Sequence, residues 1–159
     1  ENFESVQYNS RLKPRAYPLD PTLPECKNPD IQLKSHQNSG VKWLVETYNR
    51  GFPGVLMADD MGLGKTLQAL IFLAIMVETG ITDNGAPILI VAPVGLLKNW
   101  EEEHAKHLSS PGLGDFAKLY GNGLKEFKIT KGRDIEVGSA VLDINKIIQC
   151  NWLLTTYET

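Results

Sequence analysis

The stretch Ala58–Thr66 reads ADDMGLGKT, and its second half has the form of a phosphate-binding loop. The general pattern G-x-x-x-x-G-K-[ST] ends, as this stretch does, in Gly64, Lys65 and Thr66. Where that pattern has its first glycine, this chain has Asp59. The motif is meaningful only at the turn from a strand into a helix, so the flanking sequence decides how it is interpreted.

The flanking residues predict that turn. GVLMAD, Gly54–Asp59, is typical of a short buried strand. The segment from Lys65 to Glu78 predicts a helix that Gly80 ends. Its apolar residues fall on one stripe, at Leu70, Ile71, Ala74 and Val77.

The rest of the chain alternates in the same way, which predicts an α/β fold with a parallel sheet flanked by helices. PILIVAP, Pro87–Pro93, predicts a strand buried on both faces. The remaining predicted elements are a helix from Leu33 to Gly51, an amphipathic helix around Leu97–Leu108, strand plus loops over Asp115–Gly138, a helix near Val141–Ile148 and a strand in WLLTTY, Trp152–Tyr157.

Length and composition are those of a globular domain. The chain has 159 residues, 42% hydrophobic and 22% charged, and no apolar run is long enough to cross a bilayer. We expect no membrane partner and no secretory leader. A net charge of -3 neither indicates nor excludes nucleic acid, because a local basic groove suffices. Cys26 and Cys150 lack metal-ligand spacing and are expected to be reduced thiols.

Residues 1–32 form a lead segment of different character. Prolines restrict the backbone there and remove hydrogen-bond donors, so neither a helix nor a central strand is expected. We predict an extended lead segment followed by one domain over residues 33–159. The prolines that support this are Pro14, Pro18, Pro21, Pro24 and Pro29.

The chemistry of the loop suits a nucleotide. Gly62 and Gly64 let the backbone approach a phosphate chain closely, and the helix N-terminus favours negative charge. Lys65 is predicted to contact the β- and γ-phosphates of ATP, and the Thr66 hydroxyl to coordinate Mg²⁺. Met61 and Leu63 complete the predicted cofactor-binding loop.

ADDMGLGKTLQAL resembles motif I of the SWI/SNF-related ATPases of helicase superfamily two, in which the first glycine is commonly replaced. The resemblance implies a P-loop NTPase (RecA-like) lobe, here incomplete. Upstream, LKSHQNSGVKWL is similar to the adenine-recognition segment, and Gln37 is the matching residue. An amide can both donate to and accept from the adenine edge. We expect His36 and Trp43 to be structural.

Two downstream stretches extend the resemblance to motifs that contact a DNA backbone. ILIVAPVGLLKNW resembles motif Ia, which assigns Pro93, Gly95 and Lys98 to the nucleic acid, although Gly95 stands where serine is frequent. Lys98 is equally interpretable as a solvated lysine beside glutamates. WLLTTYET resembles the TTYE segment, which makes Thr155 and Thr156 candidate phosphate contacts.

The resemblance implies an ATP- and Mg²⁺-dependent translocase on double-stranded DNA, with a DNA-bound protein complex as a further partner. The sequence stops before any acidic Walker B motif, so the isolated chain is expected to hydrolyse ATP poorly. Two alternatives stay open: a regulatory module that binds nucleotide or DNA without turnover, and a small-molecule or nucleotide kinase. An intracellular location is expected, in the cytoplasm or nucleoid of a bacterium or the nucleus of a eukaryote.

Overall fold

The computed structural model describes residues 12–82, 86–129 and 142–158. Helices and strands alternate along these residues, which confirms the predicted α/β class. None of the described helices is both long and apolar enough for a membrane span.

Three short strands form a parallel sheet in the described part of the chain. The last strand in sequence lies in the middle and pairs with both others. At the carboxyl edge of the sheet, Val91 and Leu119 lie on either side of Thr155. The predicted parallel sheet is therefore confirmed. The strands are β1 Ile88–Val91, β2 Phe116–Leu119 and β3 Trp152–Thr155.

The helices follow the predicted pattern closely. The helix after the loop has the predicted bounds, and Gly80 follows it with a φ of 70°. The predicted helix at Val141–Ile148 is a single turn in the structure, and its first residue lies outside the described residues. The helices are α1 Ser35–Asn49, α2 Lys65–Glu78, α3 Val94–His107 and α4 Ile144–Ile147, with a 3₁₀ helix at Gly123–Phe127.

The central strand β3 separates two apolar clusters. Trp152 and Leu154 belong to the cluster shared with α1, α2 and α3, whereas Leu153 belongs to a smaller cluster with the 3₁₀ helix and α4. The Trp152 ring stacks on Phe116 and on His104, with centroids 4.0 and 4.9 Å away. Since alternate residues of a strand point to opposite faces of the sheet, β3 presents apolar side chains on both faces.

The predicted strand at Gly54–Asp59 is wrong. The backbone there is irregular, and Val55 and Leu56 are 45% and 84% exposed. No strand of the described sheet pairs with this segment, so its backbone groups join no ladder there. An apolar run indicates suitable side chains, but a strand also needs a neighbour.

Strand β1 is buried on one face rather than on the predicted two. Ile90 is 7% exposed and joins the main cluster, whereas Leu89 is 57% exposed. Within the described sheet β1 is an edge strand, and no described element covers its outer face.

The described part of the lead segment packs against the helices. Leu19 and Cys26 are buried in the main cluster. The Leu19 backbone exchanges two hydrogen bonds with the Asn49 side chain, of 2.7 and 2.8 Å. At the other end of the lead segment, the Glu78 carboxylate accepts the N–H groups of Glu25 and Cys26, at 2.9 and 2.8 Å. The lead segment thus ties α1 to the end of α2.

We predict that Glu78→Ala destabilises the fold in a pH-dependent way. Partial burial raises the pKa of Glu78, but the two backbone N–H groups more than offset this, and the net pKa lies below its ordinary value. A carboxyl with a lowered folded-state pKa contributes stability above its unfolded pKa and loses it as the pH falls through the folded value. Urea unfolding at pH 7 should show a loss of about 1–2 kcal/mol that fades below about pH 4.

Glu46→Ala is the control, because Glu46 is exposed on α1. It should leave the stability and its pH dependence close to those of the unchanged chain. Equal pH profiles for Glu78→Ala and the unchanged chain would contradict the role given to this carboxylate.

Candidate functional site

The loop enters α2 through two glycines in the left-handed conformation. Gly62 and Gly64 have φ values of 84° and 80°, and Gly64 is the N-cap of α2. Other residues pay about 1–2 kcal/mol for this conformation, and glycine does not. The first N–H groups of a helix have no partner within it, so this end of α2 attracts anions.

Lys65 and Thr66, the predicted catalytic pair, are the first two residues of α2. The Lys65 ammonium lies within the loop, where it donates to the carbonyl of Asp59 and, at 2.9 Å, to that of Asp60. Phosphate oxygens are stronger acceptors for an ammonium than neutral carbonyls are. The lysine is therefore placed to exchange loop carbonyls for a phosphate chain. Met61, also predicted to bind the cofactor, is 95% exposed.

Gln37 lies directly against this loop. Its Nε2 donates to the Leu63 carbonyl at 3.2 Å, and its Oε1 accepts the Lys34 N–H at 3.0 Å. A Cβ on Gly64 would come within 2.4 Å of Gln37 Nε2, so a larger residue at the cap would displace the Gln37 amide. The structure thus brings the predicted adenine-reading residue and the loop together.

A cavity of about 360 Å³ opens between α1 and the loop. Trp43 and His36 were expected to be structural, and the structure places both of them on the wall of this cavity. Trp43 is 42% exposed and lines the cavity, and His36 lines it too, with its Nε2 3.2 Å from the Leu63 carbonyl. His36, Gly40 and Trp43 are spaced i, i+4 and i+7, so they lie on one face of α1. This spacing is the pattern in the sequence that could have indicated the wall of the cavity. The other lining residues are Leu56, Met57, Ala58, Asp59 and Leu63.

The predicted DNA-contacting stretches meet at the carboxyl edge of the sheet. The Ala92 N–H donates to the Thr155 carbonyl at 3.0 Å, which joins the end of β1 to the end of β3. Pro93 follows as the N-cap of α3, and a Cβ on Gly95 would meet nothing within 4 Å. The structure therefore places Pro93 beside the end of β3, with open space at Gly95.

The polar side chains of these stretches have partners within the chain. Thr155 Oγ1 donates to the Leu119 carbonyl at 3.0 Å, and Thr156 Oγ1 accepts the Glu158 N–H at 3.2 Å. Lys98 forms an exposed ion pair of 3.1 Å with Glu102. Exposed ion pairs contribute little stability, so Lys98 can leave this pair at small cost. Contacts of these residues with DNA stay predictions.

Residues 36–159 match the family described as the SNF2-related domain. The chain belongs to this family. Relatives include the Zorya protein ZorD of Escherichia coli O139:H28, which is 38% identical over all of this chain and 16% of its own length. The human SWI/SNF-related matrix-associated actin-dependent regulator of chromatin subfamily A containing DEAD/H box 1 is 42% identical over 50% of this chain and 7% of its own length.

A solved structure supports the same assignment. The Sulfolobus solfataricus SWI2/SNF2 ATPase core, determined in complex with dsDNA, is 31% identical with a TM-score of 0.56, over 86% of this chain and 24% of that chain. The fold is the RecA-like fold of SNF2 ATPase cores. The chain spans less than a fifth of the length of these two curated relatives.

We predict that alanine has different effects at the two loop glycines. Gly62→Ala meets open space and bears only the left-handed strain, about 1–2 kcal/mol of unfolding free energy. Gly64→Ala bears the same strain and also displaces the Gln37 amide from Leu63 and Lys34, so its loss in urea unfolding should be larger by the value of those hydrogen bonds. Equal losses would show that Gln37 does not pack on the cap as described.

Proposed function

We propose that the protein containing this chain is an ATP-driven translocase on double-stranded DNA. The observation that carries this proposal is the phosphate loop, with two left-handed glycines, a lysine folded into the loop and a helix N-terminus behind it. Membership of the SNF2-related family supports the same conclusion.

The nucleotide would be held by residues on both sides of the loop. The Lys65 ammonium and the N–H groups at the start of α2 suit a polyphosphate, because both offer hydrogen to anionic oxygens. Thr66 would contribute a hydroxyl ligand to Mg²⁺, which supplies charge neutralisation between the phosphates when it is bound. The cavity beside α1, lined by His36 and Trp43, has room for a base, and Gln37 is the neighbour of His36 on the same helix.

The DNA would lie at the carboxyl edge of the sheet. At the start of α3, beside the Pro93 cap, Gly95 offers a backbone N–H group and Lys98 an ammonium to phosphates. Thr155, the last residue of β3, and Thr156 after it offer hydroxyls. Such contacts read no sequence, which suits a motor that moves along DNA. The Sulfolobus solfataricus relative was solved with dsDNA. We further propose a DNA-bound protein complex as partner and an intracellular location at the genome, in a nucleoid or a nucleus.

The isolated chain is proposed to be a slow ATPase. We assign residues 1–32 to the lead segment and residues 33–159 to the front part of the RecA-like domain. Hydrolysis also needs an oriented water and charge stabilisation across the cleft, and an arginine finger alone is worth about a thousandfold or more. DNA-stimulated turnover by the isolated chain would refute this part of the proposal.

We predict that Lys65→Ala in the full-length protein lowers DNA-stimulated ATP hydrolysis by about a hundredfold or more, because a positioned transition-state charge is lost. The measurement is ATPase rate with and without double-stranded DNA. Lys42→Ala, on the exposed side of α1, is the matched control and should keep the stimulated rate. Loss of stimulation in both variants would contradict a specific role for Lys65.

A nucleotide-binding measurement and a phosphate-acceptor screen, made beside the ATPase assay, separate the alternative functions. Nucleotide binding by the full-length protein without turnover, with or without DNA, would favour a regulatory module. Phosphoryl transfer to a small-molecule acceptor would favour a kinase. The intact Lys65 and Thr66 at the start of α2 favour turnover over a degenerate site.

A further inference from the structure

Three side-chain nitrogens converge on one carbonyl of the phosphate loop. Gln37 Nε2 and His36 Nε2 lie 3.2 Å from the Leu63 oxygen, and Gln68 Nε2 lies 3.4 Å from it. A carbonyl oxygen has two lone pairs, so these nitrogens compete for it. The position of Leu63 matters because the next residue is the Gly64 cap of α2.

Gln68 is the unusual member of this group. Its side chain is 1% exposed, and its Oε1 is buried without a hydrogen-bond partner among the described residues. Oε1 lies so close to α1 that a Cβ on Gly40 would be 1.8 Å away. Burying an unpaired acceptor is unfavourable, so the fold alone does not account for an amide here.

The bonding of Gln37 indicates what the second amide does. Both ends of the Gln37 amide are occupied within the protein, by Leu63 and by Lys34. The Gln37 amide keeps a second N–H and a second lone pair for a base, so a bound nucleotide would compete with Leu63 for Gln37 but not for the buried Gln68. His36 is exposed and can turn to water, whereas the buried Gln68 has no solvent to compete for its Nε2.

We propose that Gln68 is a positioning residue for the phosphate loop, which fixes the Leu63 carbonyl whether or not a base engages Gln37. This rests on the proposed nucleotide site. Gly40 is the residue on α1 that makes room for the amide, so the pair Gly40 and Gln68 links α1 to the loop.

The test compares ligands with and without a base on the 159-residue chain. Tripolyphosphate probes the loop alone, and ATP probes the loop and the base together. Gln68→Met keeps the side-chain length but removes both the donor and the unpaired acceptor. Tripolyphosphate and ATP affinities, measured by calorimetry, should both fall about two- to tenfold, as expected for one lost hydrogen bond. The free energy of unfolding of the free chain should be equal or higher. A purely structural role would not lower the ligand affinity while it left the stability equal or higher.

Gln37→Ala should act differently. It should weaken ATP binding and leave tripolyphosphate binding nearly unchanged, because Gln68 still holds the Leu63 carbonyl. The double variant Gln37→Ala with Gln68→Met should weaken tripolyphosphate binding by more than the product of the single effects, since both amide donors are then lost.

Two further variants keep the test decisive. Leu70→Met is a buried, volume-conserving change on α2 and should leave both affinities unchanged. Gly40→Ala displaces the Gln68 amide but keeps its chemical groups, and it should weaken tripolyphosphate binding as Gln68→Met does. It therefore tests the same role should Gln68→Met fold poorly. Unchanged tripolyphosphate affinity in both Gly40→Ala and Gln68→Met would overturn the role of Gln68 but not the nucleotide site. If the unsubstituted chain bound neither ATP nor tripolyphosphate, both this role and the nucleotide site would be overturned.

Discussion

The described sheet depends on β3, the last strand in the sequence. β1 and β2 do not pair with each other, and both take their hydrogen bonds from β3. β3 also supplies Trp152 and Leu154 to one apolar cluster and Leu153 to the other. Both strand pairings therefore join residues far apart in sequence, and the entropy of closing those long loops opposes them until the clusters form.

The sequence predicted what is local and missed what depends on distant neighbours. Helix α2 and its loop could be predicted because glycine placement and helical periodicity act within a few residues. The strand predicted at Gly54–Asp59 was wrong because strand-forming side chains are not sufficient, and no described strand pairs with this segment. Gln68 was missed although it shares a helical stripe with Ile71 and Ile75, since its burial depends on Gly40 of another helix.

The site was predictable to a similar extent. Lys65 and Thr66 stand at the start of α2, where the motif places them, and Gln37 lies beside the loop as the adenine-recognition segment implies. What the sequence could not show is that this loop is already internally bonded, with Lys65 on two loop carbonyls and Gln37 on a third. Where a nucleotide takes Lys65 or Gln37 from these carbonyls, it replaces existing hydrogen bonds, which reduces the net free energy of that contact.

The exposed apolar side chains of β1 have a consequence for the behaviour of this chain in solution. Leu89 and Val91 leave apolar surface in water on an edge strand of the described sheet, and such edges template pairing between molecules. A net charge of -3 gives only weak electrostatic repulsion, and it shrinks further as the pH approaches the isoelectric point near 5.6. We therefore expect colloidal stability to be greatest in mildly alkaline, dilute preparations, and concentration at acidic pH to favour aggregation.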